Sequence, residues 1–321
     1  MSARALFDSV ALTGVLEVPK LFNVEGWVAI VTGGGTGLGL VTATALAENG
    51  ARVYITGRRA EPLETAVNEY KSLKRGKGEI LSVQADVSTK EGIQKFVEGV
   101  KSKEKWINVL INNHGVSMPC ADINGCEQTA EGLSKQMFEG ENFETWYAFQ
   151  IQLRPTTDDP IDTYRINTAS YHFTSFAFLP LLAAAKTVGN YPEPGNIVNL
   201  ASMSGITKTS QKGQFNYNAG KAATISLSHM QATEFARRGL GIRVNVVCPG
   251  YFPSGMTVIN AEDNQGTDAQ FAEFKNKWGI PFGRPGNAVD YAQCIFGLIT
   301  NQYVTGAEFV IDGGWLLQSA F

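Results

Sequence analysis

Trp27-Val-Ala-Ile-Val31 runs straight into Thr32-Gly-Gly-Gly-Thr-Gly-Leu-Gly39, and the fold is decided at that junction. Five apolar residues in succession suit a strand buried on both faces. Gly33, Gly37 and Gly39 permit a tight turn and close backbone approach. The helical stretch that follows, Leu40–Asn49, stops at Gly50. Its free N–H groups would point at a pyrophosphate, which makes Gly33, Gly35, Thr36, Gly37, Leu38 and Gly39 the candidate phosphate contacts. A second strand, Arg52–Thr56, completes a βαβ unit whose right-handed crossover builds a parallel sheet.

The end of that second strand selects the dinucleotide. An Asp or Glu there would bind a ribose 2′-hydroxyl and repel a 2′-phosphate. The position falls on Gly57, and Arg58 and Arg59 follow at once. Guanidinium groups bind phosphate through bidentate, charge-assisted hydrogen bonds. The expected cofactor is therefore NADPH/NADP+, with Arg58 the better candidate of the two.

Tyr217-Asn-Ala-Gly-Lys221 supplies the chemistry. With a helix opening near Gln214 or Asn216, Tyr217 and Lys221 share one face, four residues apart. The ammonium is expected to favour phenolate and so lower the Tyr217 pKa toward working pH. Such a phenol can protonate a carbonyl oxygen as hydride reaches its carbon.

The Thr-Gly-X-X-X-Gly-X-Gly spacing resembles the short-chain dehydrogenase/reductase family, and the resemblance continues in order from about residue 25 to 316. Asp86-Val87 after a third strand, Leu81–Ala85, stands where family members touch adenine. Asn112-Asn113-His114-Gly115 after Val109–Ile111 matches Asn-Asn-Ala-Gly, with His114 in place of Ala. That ring is either packing or a crowding element at the adenosine ribose. Asn167, in Tyr164-Arg-Ile-Asn-Thr, matches the family's structural and catalytic Asn. Ser202, after a strand Asn196–Leu200, aligns with the catalytic Ser, and Ser204 is the fallback. Pro249-Gly250 follows a sixth strand, Arg243–Val247, and Val304–Gly314 matches the last strand.

The resemblance implies a single Rossmann-type, doubly wound parallel sheet of about seven strands. It also implies Tyr217 as proton donor, Lys221 on the nicotinamide ribose, Ser202 on the substrate oxygen, and Asn167 holding a relay water. Asn113, His114, Gly115, Pro249, Gly250 and Phe252 complete the expected cofactor contacts, with hydride delivered from the B face. Met203, Ser204, Tyr251 and Phe252 join Ser202 as substrate candidates. Helices around Gly220 and before it imply a homodimer or homotetramer.

Two stretches exceed the common core. Val116–Asp159 carries a helical segment, Glu131–Phe138, and Phe143, Trp146, Tyr147 and Phe149. Tyr251–Pro281 lies at the family's substrate lid and holds Met256 and Trp278. These aromatics either pack the insertion onto the body or line a pocket for a bulky, neutral ketone. Together with Phe178–Leu182 and Pro249–Ser254, the insertion looks like a fungal branch similar to rhamnolipid-type 3-oxoacyl reductases. Residues 1–24 form an N-terminal extension, and residues 25–321 the catalytic domain.

The 321 residues carry a net charge of −3 and are 44% hydrophobic, enough for one large core and unlike a nucleic-acid binder. The longest apolar run, Phe176–Ala185, is too short for a bilayer and contains Pro180. No secretory signal is legible, and four Cys make no disulfide framework, so a cytoplasmic location is expected. Cys120 and Cys126 lie close enough in sequence to bridge, and no metal site is expected. The rivals to carbonyl reduction are alcohol oxidation with NADP+ and a non-redox, cofactor-binding role.

Overall fold

The computed structural model describes residues 4, 16–73, 76–117, 122–140, 163–254, 275–276 and 279–319. A short helix α1 (Val18–Leu21) precedes β1 (Val28–Thr32), α2 (Gly37–Glu48), β2 (Arg52–Gly57), α3 (Ala60–Leu73), β3 (Glu79–Gln84), α4 (Lys90–Lys101) and β4 (Val109–Asn112). Next come α5 (Ala130–Ser134), a π-turn (Lys135–Glu139), a second π-turn (Arg165–Ala169) and α6 (Ser170–Thr187). The chain continues through β5 (Asn196–Leu200), a 3-10 turn (Met203–Gly205), α7 (Phe215–Arg237), β6 (Arg243–Pro249), α8 (Ala288–Thr300), β7 (Glu308–Ile311) and α9 (Trp315–Ser319).

The seven strands form one sheet in the order β3-β2-β1-β4-β5-β6-β7, every pair parallel. Both faces are covered, as parallel sheets require. Ala29 and Val31 of β1 face α2, α3 and α8, joining Leu46, Leu63 and Ile295. Val28 and Ile30 face α4, α6 and α7, joining Phe96, Phe178 and Phe235. The alternation in β1 is the two-residue period of a strand. Strand order reverses between β1 and β4, which opens a crevice at their carboxyl ends, where the chain motifs converge.

The helical reading of Glu131–Phe138 is met by α5 and the π-turn after it. Phe143, Trp146, Tyr147, Phe149, Met256 and Trp278, and with them Cys120, lie outside the described residues. Among the described residues no helix is long and apolar enough to cross a membrane, and no His/Cys/Asp/Glu group could hold a metal.

Candidate active site

The phosphate loop has the geometry its glycines imply. Gly33 (φ 65°) and Gly37 (φ 55°) occupy the left-handed region. A Cβ on Gly33 would stand 2.8 Å from the His114 Cα, and one on Gly39 would strike the Gly33 carbonyl and the Asn113 amide. Thr36, the residue before α2, makes no side-chain cap to the first N–H groups of that helix. Asn113 donates from Nδ2 to the carbonyls of Thr32 (3.1 Å) and Gly33 (3.3 Å). Its Oδ1 is buried with no hydrogen-bond partner. An uncapped helix start beside an orphaned acceptor fits a dinucleotide phosphate and a sugar hydroxyl.

Gly57 ends β2, and both Arg58 and Arg59 are exposed just beyond it. Gln84 Nε2 donates to the Arg58 carbonyl at 2.9 Å, tying the loop to β3. The Arg58 charge is close enough to act weakly on His114. Asp86 Oδ1 accepts from the Ser88 amide (2.9 Å) and hydroxyl (2.7 Å). The Val87 side chain is buried with Ile93 and Phe96, so it packs the core rather than facing a ligand.

His114 is a structural tie. The His114 Nε2 lies 2.5 Å from Ser170 Oγ and its Nδ1 2.7 Å from Thr32 Oγ1, so in the neutral ring one nitrogen donates and the other accepts. Burial pushes its pKa down to about 3, with the Lys221 and Arg58 charges adding to the effect and Asp86 opposing it. The ring turns inward, bridging β1 to α6.

Tyr217 lies in the first turn of α7, with the Ser202 hydroxyl near enough to its phenol to act on its pKa. Ser202 caps the 3-10 turn, its Oγ accepting from the Ser204 amide at 3.1 Å. Ser202 is thus the serine at the phenol, and Ser204 lies inside the turn that Ser202 caps. Lys221 is buried, donates from Nζ to the Leu200 carbonyl at 2.8 Å, and lies 5.8 Å from the centroid of the Tyr217 ring.

The expectation that Lys221 lowers the Tyr217 pKa is not met in this structure. Burial raises the phenol, and the opposing influence is the Ser202 hydroxyl. Lys221 is itself pushed down to about 8 by burial. Its Nζ turns toward Leu200 rather than toward the phenol oxygen.

Asn167 sits in the π-turn before α6, where one extra residue interrupts the regular helical ladder. Its side chain pairs with the Val116 backbone, accepting from the amide and donating to the carbonyl, both at 2.8 Å. Its backbone carbonyl accepts from Thr224 Oγ1 at 2.8 Å. A Cβ on Gly115 would stand 3.1 Å from Asn167 Oδ1 and 3.6 Å from Lys221 Nζ, so only a bare backbone fits there.

Two substrate candidates face the interior. Met203 is buried with Ile280 and Trp315, a small cluster that Tyr251 packs against. Phe252 is 4% exposed and its ring meets Tyr291 edge-on at 5.8 Å. Pro249 ends β6 opposite Ile311. The Gly250 amide donates to the Ile311 carbonyl at 3.0 Å. Tyr171 escaped the sequence reading. Its hydroxyl donates to the His114 carbonyl at 2.6 Å, and its ring lies 5.8 Å from Lys221 Nζ. No local motif marks it, because both contacts are distant in sequence.

The chain matches the short chain dehydrogenase family model over residues 27–144 and the enoyl-(acyl carrier protein) reductase model over residues 153–316. It is 30% identical to the short-chain dehydrogenase/reductase PhomF of Diaporthe leptostromiformis, over 96% of this chain and 97% of that one. It is 28% identical to the rhamnolipids biosynthesis 3-oxoacyl-[acyl-carrier-protein] reductase of Pseudomonas aeruginosa, covering 92% and 98%. The solved Pseudomonas aeruginosa RhlG/NADP active-site complex superimposes with a TM-score of 0.69 at 28% identity, over 92% of this chain and 98% of that one. With sheet order, phosphate loop and the Ser202–Tyr217–Lys221 arrangement all in place, the chain belongs to the short-chain dehydrogenase/reductase family of oxidoreductases.

Proposed function

We propose that this oxidoreductase uses NADPH to reduce a bulky, neutral ketone to a secondary alcohol, with Tyr217 as the proton donor. The observation that carries the reading is the buried Lys221 ammonium 5.8 Å from the Tyr217 ring, with Ser202 beside that phenol. Reduction is favoured by the 3-oxoacyl reductase relative and NADP by the RhlG/NADP complex. The missing acid at Gly57 and the exposed Arg58 just after β2 support the same cofactor.

A bound NADPH would lie along the phosphate loop, with Arg58 at its 2′-phosphate, and would supply the hydride. Ser202 and Tyr217 would hold the substrate oxygen between their hydroxyls. As the carbonyl carbon becomes an alcohol carbon, Tyr217 gives its proton to the oxygen and becomes tyrosinate. The raised phenol pKa keeps that proton in place at neutral pH beforehand. Lys221 then stabilises the anion at the moment it forms, which is where electrostatic catalysis has its effect. Asn167 holds Val116 and the Gly115 backbone against Lys221, and would carry the relay water. Residues 25–321 act as one catalytic domain. The protein is inferred to work in the cytoplasm as a homo-oligomer, without nucleic acid or membrane partners.

The test is Tyr217→Phe. It should lower ketone reduction about 100-fold or more while NADPH binding, followed by nicotinamide fluorescence, stays within about threefold. Near-normal turnover in this variant would overturn the assignment.

A further inference from the structure

We propose that His114 and Tyr171 are positioning residues for Lys221, together forming one wall of the pocket that holds its ammonium at the Leu200 carbonyl. This inference rests on the functional reading above for its catalytic meaning, though not for its geometry. The ammonium sits between two aromatic rings, Tyr217 on its own helix and Tyr171 on α6, each centroid 5.8 Å away. That range suits a cation–π contact, which counts most where water is excluded. Lys221 is 3% exposed and Tyr171 is fully buried.

Tyr171 is fixed in turn. Its hydroxyl donates to the His114 carbonyl at 2.6 Å and lies 3.3 Å from the Leu200 carbonyl, the acceptor that Lys221 uses. The His114 ring meets the Tyr171 ring edge-on, with centroids 4.8 Å apart. Hydrogen bonds at both nitrogens, to Thr32 and Ser170, prevent that imidazole from turning away. An alanine at position 114 would offer Tyr171 the same backbone carbonyl and no ring. The two large side chains therefore work as a pair.

Among the described residues, the one titratable group that acts on the Lys221 charge is Cys248. Burial pushes that thiol, on β6, up to about 12, so it stays neutral. The Tyr217 and Tyr171 phenols are both raised by burial and also neutral near pH 7. His114 is neutral above about pH 3. Ring geometry is thus what distinguishes the two walls.

The direct test is the Lys221 titration, read from its 13Cε NMR signal in cofactor-free protein and assigned with Lys221→Met. Tyr171→Phe keeps the ring and should leave the titration within about 0.2 units of wild type. Tyr171→Met fills the space without a ring and should lower it by about half a unit. Tyr171→Leu serves if the Met variant does not fold. His114→Ala should move the titration in the Tyr171 background and leave it unmoved in the Tyr171→Met background. An unchanged titration in Tyr171→Met, or an equal effect of His114→Ala in both backgrounds, would overturn the proposal. The readout needs no substrate, so a failure to reduce ketones would refute the functional reading and leave this result standing.

Discussion

Burial pulls the Tyr217 phenol and the Lys221 ammonium in opposite directions, raising one pKa and lowering the other, so it favours both neutral forms. Lys221 is charged below about pH 8 and neutral above it. Reductive turnover should therefore fall as pH rises through about 8, as a kcat–pH profile at saturating NADPH would show. A plateau to pH 10 would contradict a charged Lys221 in the working enzyme. His114 gives a stability prediction with a definite sign. Its folded pKa of about 3 lies below the ordinary 6.5, so between those values the unfolded chain binds the extra proton. Stability is then full above pH 6.5 and is lost as pH falls toward 3, at most about 1.4 kcal/mol per pH unit. The unfolding free energies of wild type and His114→Ala should accordingly converge on acidification, measured by urea melts at stepped pH. Tyr217, Lys221 and Ser202 were legible because a local spacing or motif carries them. The burial of Met203 and Phe252 was not legible, because a motif gives position and says nothing of which way a neighbouring side chain turns.

Among the elements, α7 brings the chemistry together because the 3-10 turn can approach its backbone closely. A Cβ on Gly205 would lie 2.7 Å from both the Ala222 amide nitrogen and the Lys221 carbonyl carbon. Gly205→Ala should push Ser202 away from Tyr217 and lower turnover about tenfold or more, with a smaller loss of stability. A kcat near wild type would show that the turn can yield. At the other end of β6, Arg243 is buried and donates to the carbonyls of Leu298 (3.2 Å), Ile299 (2.9 Å) and Val304 (2.9 Å). It satisfies the end of α8 and the turn into β7. Arg243→Met should cost about 2–4 kcal/mol in urea unfolding. Strands β1, β2 and β5 could be read from their apolar runs, and β5 ends at the residues expected. Strand β6 runs two residues further than read, since Pro249 can end a strand with its carbonyl side paired. The π-turn at Asn167 has no sequence signature, because it arises from how α6 must leave room for α7.

At the scale of the whole molecule, the reversal of strand order between β1 and β4 places phosphate loop, Arg58 and the Tyr217 helix around one crevice. Phe173, Phe176, Phe215 and Met230, on α6 and α7, are large apolar side chains left exposed. Their coverage by a second copy would give a dimer or tetramer mass in sedimentation equilibrium at micromolar concentration. A monomer mass would exclude the proposed homo-oligomer. Cofactor choice integrates all of these placements, and it is the measurement of greatest reach: titration of wild type and Arg58→Ala with NADPH and NADH, followed by nicotinamide fluorescence. The predicted result is NADPH binding about tenfold or more tighter than NADH, with that ratio collapsing in Arg58→Ala. Equal or tighter NADH binding by the wild type would contradict the NADPH assignment, and binding of neither would contradict the enzyme reading itself.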